Sequence, residues 1–123
     1  MPKKVVNAVI FNGNGRYLLK KAADPRYGDR WGFPRKTTEL WEDTEDTARV
    51  TAFEEAGVQV EPGGRDYRET CDDLEFHHYL CIFVSGEAID HQASWFSMDE
   101  IRMRQDLVPY VKKTIERLGR MRV

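Results

Sequence analysis

The distribution of hydrophobic and polar residues predicts two strands at the start of the chain. Val5 to Phe11 is a run of β-branched and apolar residues, which is typical of a strand. Asn12 to Gly15 consists of residues that tolerate positive φ, so it predicts a turn into a second strand, Arg16 to Lys21. A loop then leads to a Trp-Gly-Phe-Pro sequence that starts at Trp31. Its Pro34 restricts the preceding residue to an extended conformation.

A helix is predicted between Asp43 and Gly57. Asp43 is a suitable N-cap and acidic residues follow it in the first turn, where the helix dipole favours them. Gly57 is suited to end the helix in the left-handed conformation. Alanines recur at every fourth position, so they predict a buried face, with Phe53 packed beside them. These alanines are Ala48, Ala52 and Ala56.

The second half of the chain predicts three more strands. Pro62 to Gly64 is a Pro-Gly-Gly sequence and predicts a turn. Asp66 to Cys71 and Leu74 to Val84 then form a predicted strand pair, and Ala93 to Phe96 is a short strand.

Two helices are predicted at the end of the chain. Ser97 to Glu100 has the spacing of a capping box and begins a short helix. A last helix is predicted to start at Asp106, with Pro109 in its first turn. Its buried face would carry Val111, Ile115 and Leu118.

Length and composition indicate a single domain, residues 1–123. Hydrophobic residues make up 41% and charged residues 33%, which is the balance of a folded chain in water. The formal net charge of -2 gives no bulk attraction to nucleic acid or to an anionic membrane. The longest apolar run is too short to span a bilayer and the N-terminus does not resemble a secretory signal, so we expect a cytoplasmic protein. Cys71 and Cys81 lack metal-binding spacing and are expected to be buried free thiols.

Residues 36–58 resemble the Nudix box, whose pattern is G-x5-E-x7-R-E-U-x-E-E-x-G-U, with U aliphatic. Laid on the chain without gaps, the pattern matches at five positions and marginally at Ala52. Three positions differ: Lys36 replaces glycine, Val50 replaces arginine and Thr51 replaces glutamate. The matching residues are Glu42, Glu54, Glu55, Gly57 and Val58.

The resemblance implies a fold as well as a chemistry. The predicted order of elements is that of the Nudix fold, an α/β (α+β) class in which a mixed central sheet lies between helices as an α/β/α sandwich. It also implies a pyrophosphohydrolase that uses Mg²⁺ or Mn²⁺ to cleave a diphosphate. Carboxylates are the protein ligands that these hard cations prefer.

The resemblance implies that Glu54 and Glu55 are catalytic residues and metal ligands, with Glu42 as a further ligand. Residues three and four apart share a helix face, so Thr51 is expected to project with Glu54 and Glu55, opposite the alanines. Thr51 cannot act as a carboxylate base. Glu42 is equally consistent with an ordinary acid at a helix N-terminus.

Further candidates lie outside the glutamates of the motif. Arg35 and Lys36 would bind substrate phosphate, or else they are simple surface charge. Asp90 is a candidate substitute base, because its segment resembles the dinucleoside-tetraphosphate branch of the family. Tyr27 is a candidate to stack on the organic part of the substrate. Consecutive strand residues face opposite ways, so His77 and His78 are not expected to form one site.

Three hypotheses follow. The first is a metal-dependent pyrophosphohydrolase of a nucleotide-like diphosphate, such as a dinucleoside polyphosphate, with weakened or relocated catalysis. The second is an inactive Nudix-fold module that binds a nucleotide or a protein. The third is an unrelated α+β domain that matches the motif by chance. The sequence leaves open the substrate, a homodimer and any protein partner.

Overall fold

The computed structural model describes residues 3–22, 28, 30–71, 73–87 and 93–120, with the backbone alone at positions 71, 119 and 120. The predicted site residues Tyr27 and Asp90 lie outside these ranges. The strands of the described chain are β1 (Lys3–Phe11), β2 (Arg16–Lys21), β3 (Trp31–Gly32), β4 (Arg35–Glu39), β5 (Val58–Cys71), β6 (Leu74–Gly86) and β7 (Ala93–Ser97). The helices are α1 (Thr44–Ala56), α2 (Met98–Met103) and α3 (Val111–Arg120). None of these helices is long and apolar enough to cross a bilayer.

The strands form one mixed sheet, as the sequence predicted. The order is β3-β2-β1-β6-β5, with β4 paired to β1 and β7 paired to β2. β1 runs parallel to β6, and the other pairings are antiparallel. β4 pairs with residues 3–7 of β1, whereas β2 pairs with its end, at Ile10 and Phe11. β4 and β2 therefore pair with successive parts of the same edge of β1. β3 and β4 were not predicted from the sequence.

Helix α1 covers one face of the sheet and has the predicted ends. The Asp43 side chain accepts a hydrogen bond from the Asp46 amide at 3.0 Å, and Gly57 adopts φ 76°. The three alanines are buried against a core formed by alternate residues of β1, including Val6 and Ile10. Because alanine is small, the helix axis can lie close to the sheet.

The rotation of α1 about its axis differs from the prediction at two positions. Phe53 was expected in the core but is 60% exposed. Thr47 and Thr51 are buried instead, and Thr51 is 0% exposed. Both errors have one cause: the helix face centred on the alanines is turned so that its threonine flank meets the sheet and its phenylalanine flank meets solvent.

Helices α2 and α3 cover the opposite face over a larger, aromatic core. The capping box at Ser97 and Glu100 is present, as predicted. The last helix begins at Val111 rather than at Asp106, so that prediction was wrong. The preceding residues are held in backbone hydrogen bonds with β3: Trp31 donates to the Asp106 carbonyl, and Val108 donates to the Trp31 carbonyl, each at 2.8 Å.

The predicted turn at Pro62 to Gly64 was also wrong. These residues lie inside β5, at a shift in its register against β6 between Pro62 and Asp66. The glycines and proline therefore form an irregularity within a long strand rather than a chain reversal. Cys81 is a buried free thiol, as expected, and burial raises its pKa to about 12.

Candidate active site

A cleft of about 140 Å³ lies beside the point where β2 and β4 separate along the edge of β1. Among the described residues that line it, three side chains are cationic and one, Glu55, is a carboxylate. This described lining is therefore cationic, although the whole chain has a net charge of -2. An anionic group is the ligand that such a lining favours. The lining residues are Lys20, Lys21, Ala22, Gly32, Phe33, Pro34, Arg35, Glu55, Val108 and Tyr110.

Three residues of the Trp-Gly-Phe-Pro sequence, Gly32, Phe33 and Pro34, line the cleft. Trp31 and Phe33 are buried in the core beneath α2 and α3. A Cβ added at Gly32 would lie 3.0 Å from the Val108 Cγ2 atom, so glycine allows the segment before α3 to approach β3. Tyr110 lies 6.1 Å from Phe33, centroid to centroid, and lines the cleft beside it.

The last turn of α1 presents two glutamates to lysines of the sheet. Glu55 Oε1 lies 3.5 Å from Lys20 Nζ, and Glu54 Oε1 lies 3.2 Å from Lys36 Nζ. Glu55 lines the cleft, whereas Glu54 lines a separate apolar groove that contains Phe53. The structure therefore places Glu54 and Glu55 next to each other in the helix but in different depressions of the surface.

The Thr51 side chain does not project outward with these glutamates, so the predicted orientation opposite the alanines was wrong at this position. Its side chain is fully buried, and its hydroxyl donates a hydrogen bond of 2.7 Å to the Thr47 carbonyl. A residue in this orientation cannot reach a ligand in the cleft. Val50, at the position of the family arginine, is partly exposed on the outer side of the helix.

Glu42 lies away from the cleft, in a depression that it shares with Lys36 and Trp41. A hydrogen bond from Thr38 lowers the pKa of Glu42, and the charges of Lys36 and Lys4 lower it further. The backbone at this point is held by the buried Lys4, whose Nζ donates to the carbonyls of Leu40 and Glu42. Glu42 is thus a stable anion beside Lys36, but the structure does not bring it to Glu55.

The two predicted substrate-binding cations have different positions. Arg35 lines the cleft, whereas Lys36 faces Glu54 outside it. Both belong to β4, where successive side chains point to opposite faces of the sheet. Lys36, which replaces the first glycine of the motif, therefore lies in a regular strand paired to β1.

The two adjacent histidines belong to separate networks, as predicted. His77 Nδ1 lies 3.2 Å from Thr44 Oγ1, on the side of α1. His78 Nδ1 accepts from Asn7 Nδ2 at 3.1 Å and His78 Nε2 donates to Glu69 Oε1 at 3.0 Å, among the aromatic residues on the side of α3. Neither histidine lines the cleft.

A sequence model of the NUDIX domain matches residues 1–118. The chain belongs to the NUDIX domain family. The match confirms the resemblance of residues 36–58 to the Nudix box. A comparison with curated protein sequences found no match.

Solved structures of NUDIX proteins share the fold over almost the whole chain. A NUDIX hydrolase from Nitrosomonas europaea is 20% identical, with a TM-score of 0.80 over 98% of this chain and 72% of that one. A second NUDIX hydrolase from the same organism is 26% identical, with a TM-score of 0.72 over 94% and 87%. An ADP-ribose pyrophosphatase from Streptococcus suis is 21% identical, with a TM-score of 0.64 over 97% and 88%.

The NUDIX family implies a divalent metal ion, and the described residues fit it only in part. Within the described ranges, no three histidine, cysteine, aspartate or glutamate side chains are close enough to hold an ion together. Thr51 removes one expected ligand, and Glu54 and Glu55 are each paired with a lysine. Mg²⁺ commonly takes only one or two protein carboxylates when substrate phosphates and water complete its coordination. The site therefore fits an ion that arrives with a diphosphate, and it does not fit one held by the protein alone.

Sequence reasoning missed Lys20 as a residue of the candidate site. Its partner Glu55 lies 35 positions further along the chain, so no local pattern connects the two. The available signal was the position of Lys20 and Lys21 at the end of a predicted strand, directly before the loop to Trp31. Paired cations at that point would be expected near the mouth of a cleft.

Proposed function

We propose that this NUDIX protein is a pyrophosphohydrolase that binds the diphosphate group of a nucleotide-like small molecule in the cationic cleft. The observation that carries the proposal is the position of Glu55, on the motif helix, next to Lys20 in a cleft that Lys21 and Arg35 also line. Cations would hold the phosphate oxygens, and the carboxylate would face the same group. The relationship to pyrophosphatases in fold supports a diphosphate as the substrate class.

In this proposal, each part of the cleft has a separate task. The three cationic side chains orient the diphosphate and stabilise the negative charge that develops as the phosphoanhydride bond breaks. Phe33 and Tyr110 provide an apolar wall next to it. Glu55 would hold Mg²⁺ or Mn²⁺ together with the phosphate oxygens, and the bound ion would supply further neutralisation of these oxygens. Glu54 lines the neighbouring groove and stays a proposed ligand on the sequence argument.

The proton acceptor in this reaction is not Thr51, because its hydroxyl is buried and already donates to a carbonyl. Within the part of the chain that the structure describes, Glu55 is the one carboxylate that lines the cleft. Asp90 stays a proposed base and Tyr27 a proposed stacking residue, both on the sequence argument alone. The cytoplasmic location also stays a prediction.

The experiment is product detection by phosphorus NMR with Mg²⁺ or Mn²⁺ and a panel of substrates. The panel contains nucleoside triphosphates, dinucleoside polyphosphates, nucleotide sugars, ADP-ribose and a capped RNA. We expect turnover of at least one member and a loss of roughly 10²-fold or more in Glu55→Gln. Glu39→Gln is the matched control, since Glu39 pairs with Lys3 at the same 3.5 Å but lies outside the cleft. Equal turnover in Glu55→Gln and Glu39→Gln would contradict the site.

A second candidate function is a binding module without catalysis, and the burial of Thr51 favours it. Loss of a general base typically costs roughly 10²- to 10⁴-fold in rate, which would leave binding as the main property. This alternative predicts that calorimetry detects a nucleotide-like diphosphate while phosphorus NMR detects no product from it. Turnover of that same ligand by the wild-type protein would exclude the alternative.

A further inference from the structure

Lys20 forms an ion pair with the carboxylate of Glu55 in the cleft. It lines the cleft with Lys21 and Arg35, and its ammonium group lies 3.5 Å from Glu55 Oε1. The Lys20 side chain is 22% exposed and that of Glu55 is 43% exposed. The carboxylate most suited to a divalent cation is therefore already next to a cation that belongs to the protein.

The pair is weak enough to exchange partners. Ion pairs that remain partly in water contribute little to stability, because solvent competes with each partner. A diphosphate that enters the cleft brings several anionic oxygens, which can receive the Lys20 ammonium in place of Glu55. Once Lys20 has moved, the carboxylate is free to bind the cation that accompanies the diphosphate.

The same lysine acts against a cation that arrives alone. A divalent ion at Glu55 would lie within a few ångströms of the Lys20 ammonium and would be repelled by it. At about 4 Å in water-like surroundings, this repulsion corresponds to about a 30-fold loss of cation affinity at low ionic strength. When the ammonium is bound to phosphate, the anionic oxygens offset its repulsion of the divalent ion.

We propose that Lys20 is a positioning residue that keeps divalent cations off Glu55 in the free protein and admits them together with a diphosphate. This inference rests on the proposed function for the choice of ligand. It differs from a general phosphate-binding role because one substitution must change two affinities in opposite directions. Lys20 would thus make binding of metal and diphosphate cooperative.

The chain offers a matched control in the pair of Lys3 and Glu39. Its Nζ to Oε1 distance is also 3.5 Å, and Lys3 lies outside the residues that line the cleft. Lys20→Met and Lys3→Met each remove one positive charge and retain most of the aliphatic stem. A difference between these variants therefore reports position and not net charge.

Two measurements test the inference. Electron paramagnetic resonance of free Mn²⁺ gives the cation affinity of the ligand-free protein. Calorimetry with methylenediphosphonate, which cannot be hydrolysed, gives the diphosphate affinity in the presence of Mg²⁺. We expect Lys20→Met to raise Mn²⁺ affinity up to about 30-fold and to lower methylenediphosphonate affinity about tenfold. Lys3→Met should leave both within about twofold.

We expect Lys20→Met to bind Mn²⁺ more tightly and methylenediphosphonate more weakly than the wild-type protein. Lys20→Arg should restore tight methylenediphosphonate binding. If both affinities fall together, or if Mn²⁺ affinity does not change, the inference is wrong. This test is independent of turnover. Opposite shifts in a protein that hydrolyses nothing would retain the role of Lys20 and reject the proposed hydrolase. Turnover without these shifts would retain the hydrolase and reject the role of Lys20.

Discussion

The two faces of the sheet are packed in different ways, and the difference determines where the cleft residues lie. The face under α1 is built on small residues, with alanines on the helix above Val6, Ala8 and Ile10. The face under α2 and α3 is built on large ones, including Trp31, Phe33 and Phe96. Small residues allow close approach of a helix, whereas aromatic residues require a wider layer.

The α1 face also carries the two ion pairs of the candidate site. Because α1 lies close to the strands, the glutamates of its last turn reach Lys20 of β2 and Lys36 of β4. The aromatic face contributes Phe33 and Tyr110 as a wall of the cleft, and it buries His78 in a polar network. The α1 face therefore carries the two glutamate–lysine pairs, and the other face provides the aromatic wall of the cleft.

The largest expected effect comes from Thr51→Glu, which would place a carboxylate in the closely packed α1 face. Thr51 is 0% exposed, and its hydroxyl donates to the Thr47 carbonyl rather than to a charged group. An unpaired buried charge should lower the free energy of unfolding by about 3–5 kcal/mol. Urea denaturation measures this decrease in the free energy of unfolding. Thr51→Val keeps the shape and should cost no more than about 1.5 kcal/mol. Equal stability of the two variants would mean that Thr51 faces solvent.

On the aromatic face, Gly32→Ala tests the close approach of Val108 to β3. The added Cβ would lie 3.0 Å from Val108 Cγ2, which is tighter than ordinary packing. We expect a loss of about 1–3 kcal/mol in the free energy of unfolding. Gly13→Ala is the control, because a Cβ there meets no atom within 4 Å. Thermal unfolding of both proteins would show whether Gly32 is the sensitive position, and equal melting temperatures would count against the packing.

The aromatic face should also make stability depend on pH. Burial lowers the pKa of His78 from its usual 6.5, although Glu69 opposes the shift. The unfolded chain then binds more protons than the folded chain, so stability is full above pH 6.5 and falls as the pH drops below it. Each unit of depression corresponds to about 1.4 kcal/mol. Urea midpoints between pH 7.5 and 5.5 measure the slope.

Glu69 adds to the acid sensitivity at lower pH. Burial raises its pKa, but hydrogen bonds from Lys113 and His78 outweigh burial and lower it overall. Its contribution is present above pH 4.5 and is lost below that value. His78→Gln should therefore flatten the slope between pH 7 and 5.5 and leave a decline below pH 4.5. An unchanged slope above pH 5.5 would assign the effect to another group.

The smallest effect is expected at Phe53, on the outer side of α1. Its ring is 60% exposed, so Phe53→Ser should change the free energy of unfolding by less than about 0.5 kcal/mol. Ala52→Val, one position away on the buried side, should cost about 1 kcal/mol or more through overpacking. Guanidinium titrations of both variants compare the two sides. If Phe53→Ser lost more free energy of unfolding than Ala52→Val, the orientation assigned to α1 would be wrong.

Much of the fold could be predicted from local signals. The Asp43 cap, the Gly57 end and the capping box at Ser97 depend on residues within a few positions, and all three are present. The start of the last helix was misplaced because Asp106 and Pro109 have the chemistry of a helix start. Backbone pairing with Trp31 holds Asp106 instead. The irregularity at Pro62 was misread because a register shift between paired strands has no local signature.

The candidate site was less predictable. The motif identified Glu54 and Glu55 and placed them on one helix, because their spacing in the sequence fixes their relative directions. It could not identify Lys20, since a lysine in a strand carries no sign of a partner 35 positions away. Nor could it assign Glu55 to the cleft and Glu54 to a neighbouring groove.

The sequence by itself determined the family, the order of most elements and the ends of α1, because these depend on residue chemistry over short stretches. Only the tertiary structure decided which side of α1 faces the sheet. Helical spacing fixes the angles between side chains, but the absolute rotation of a helix is set by what packs against it. That rotation buried Thr51, exposed Phe53 and brought Glu55 to Lys20.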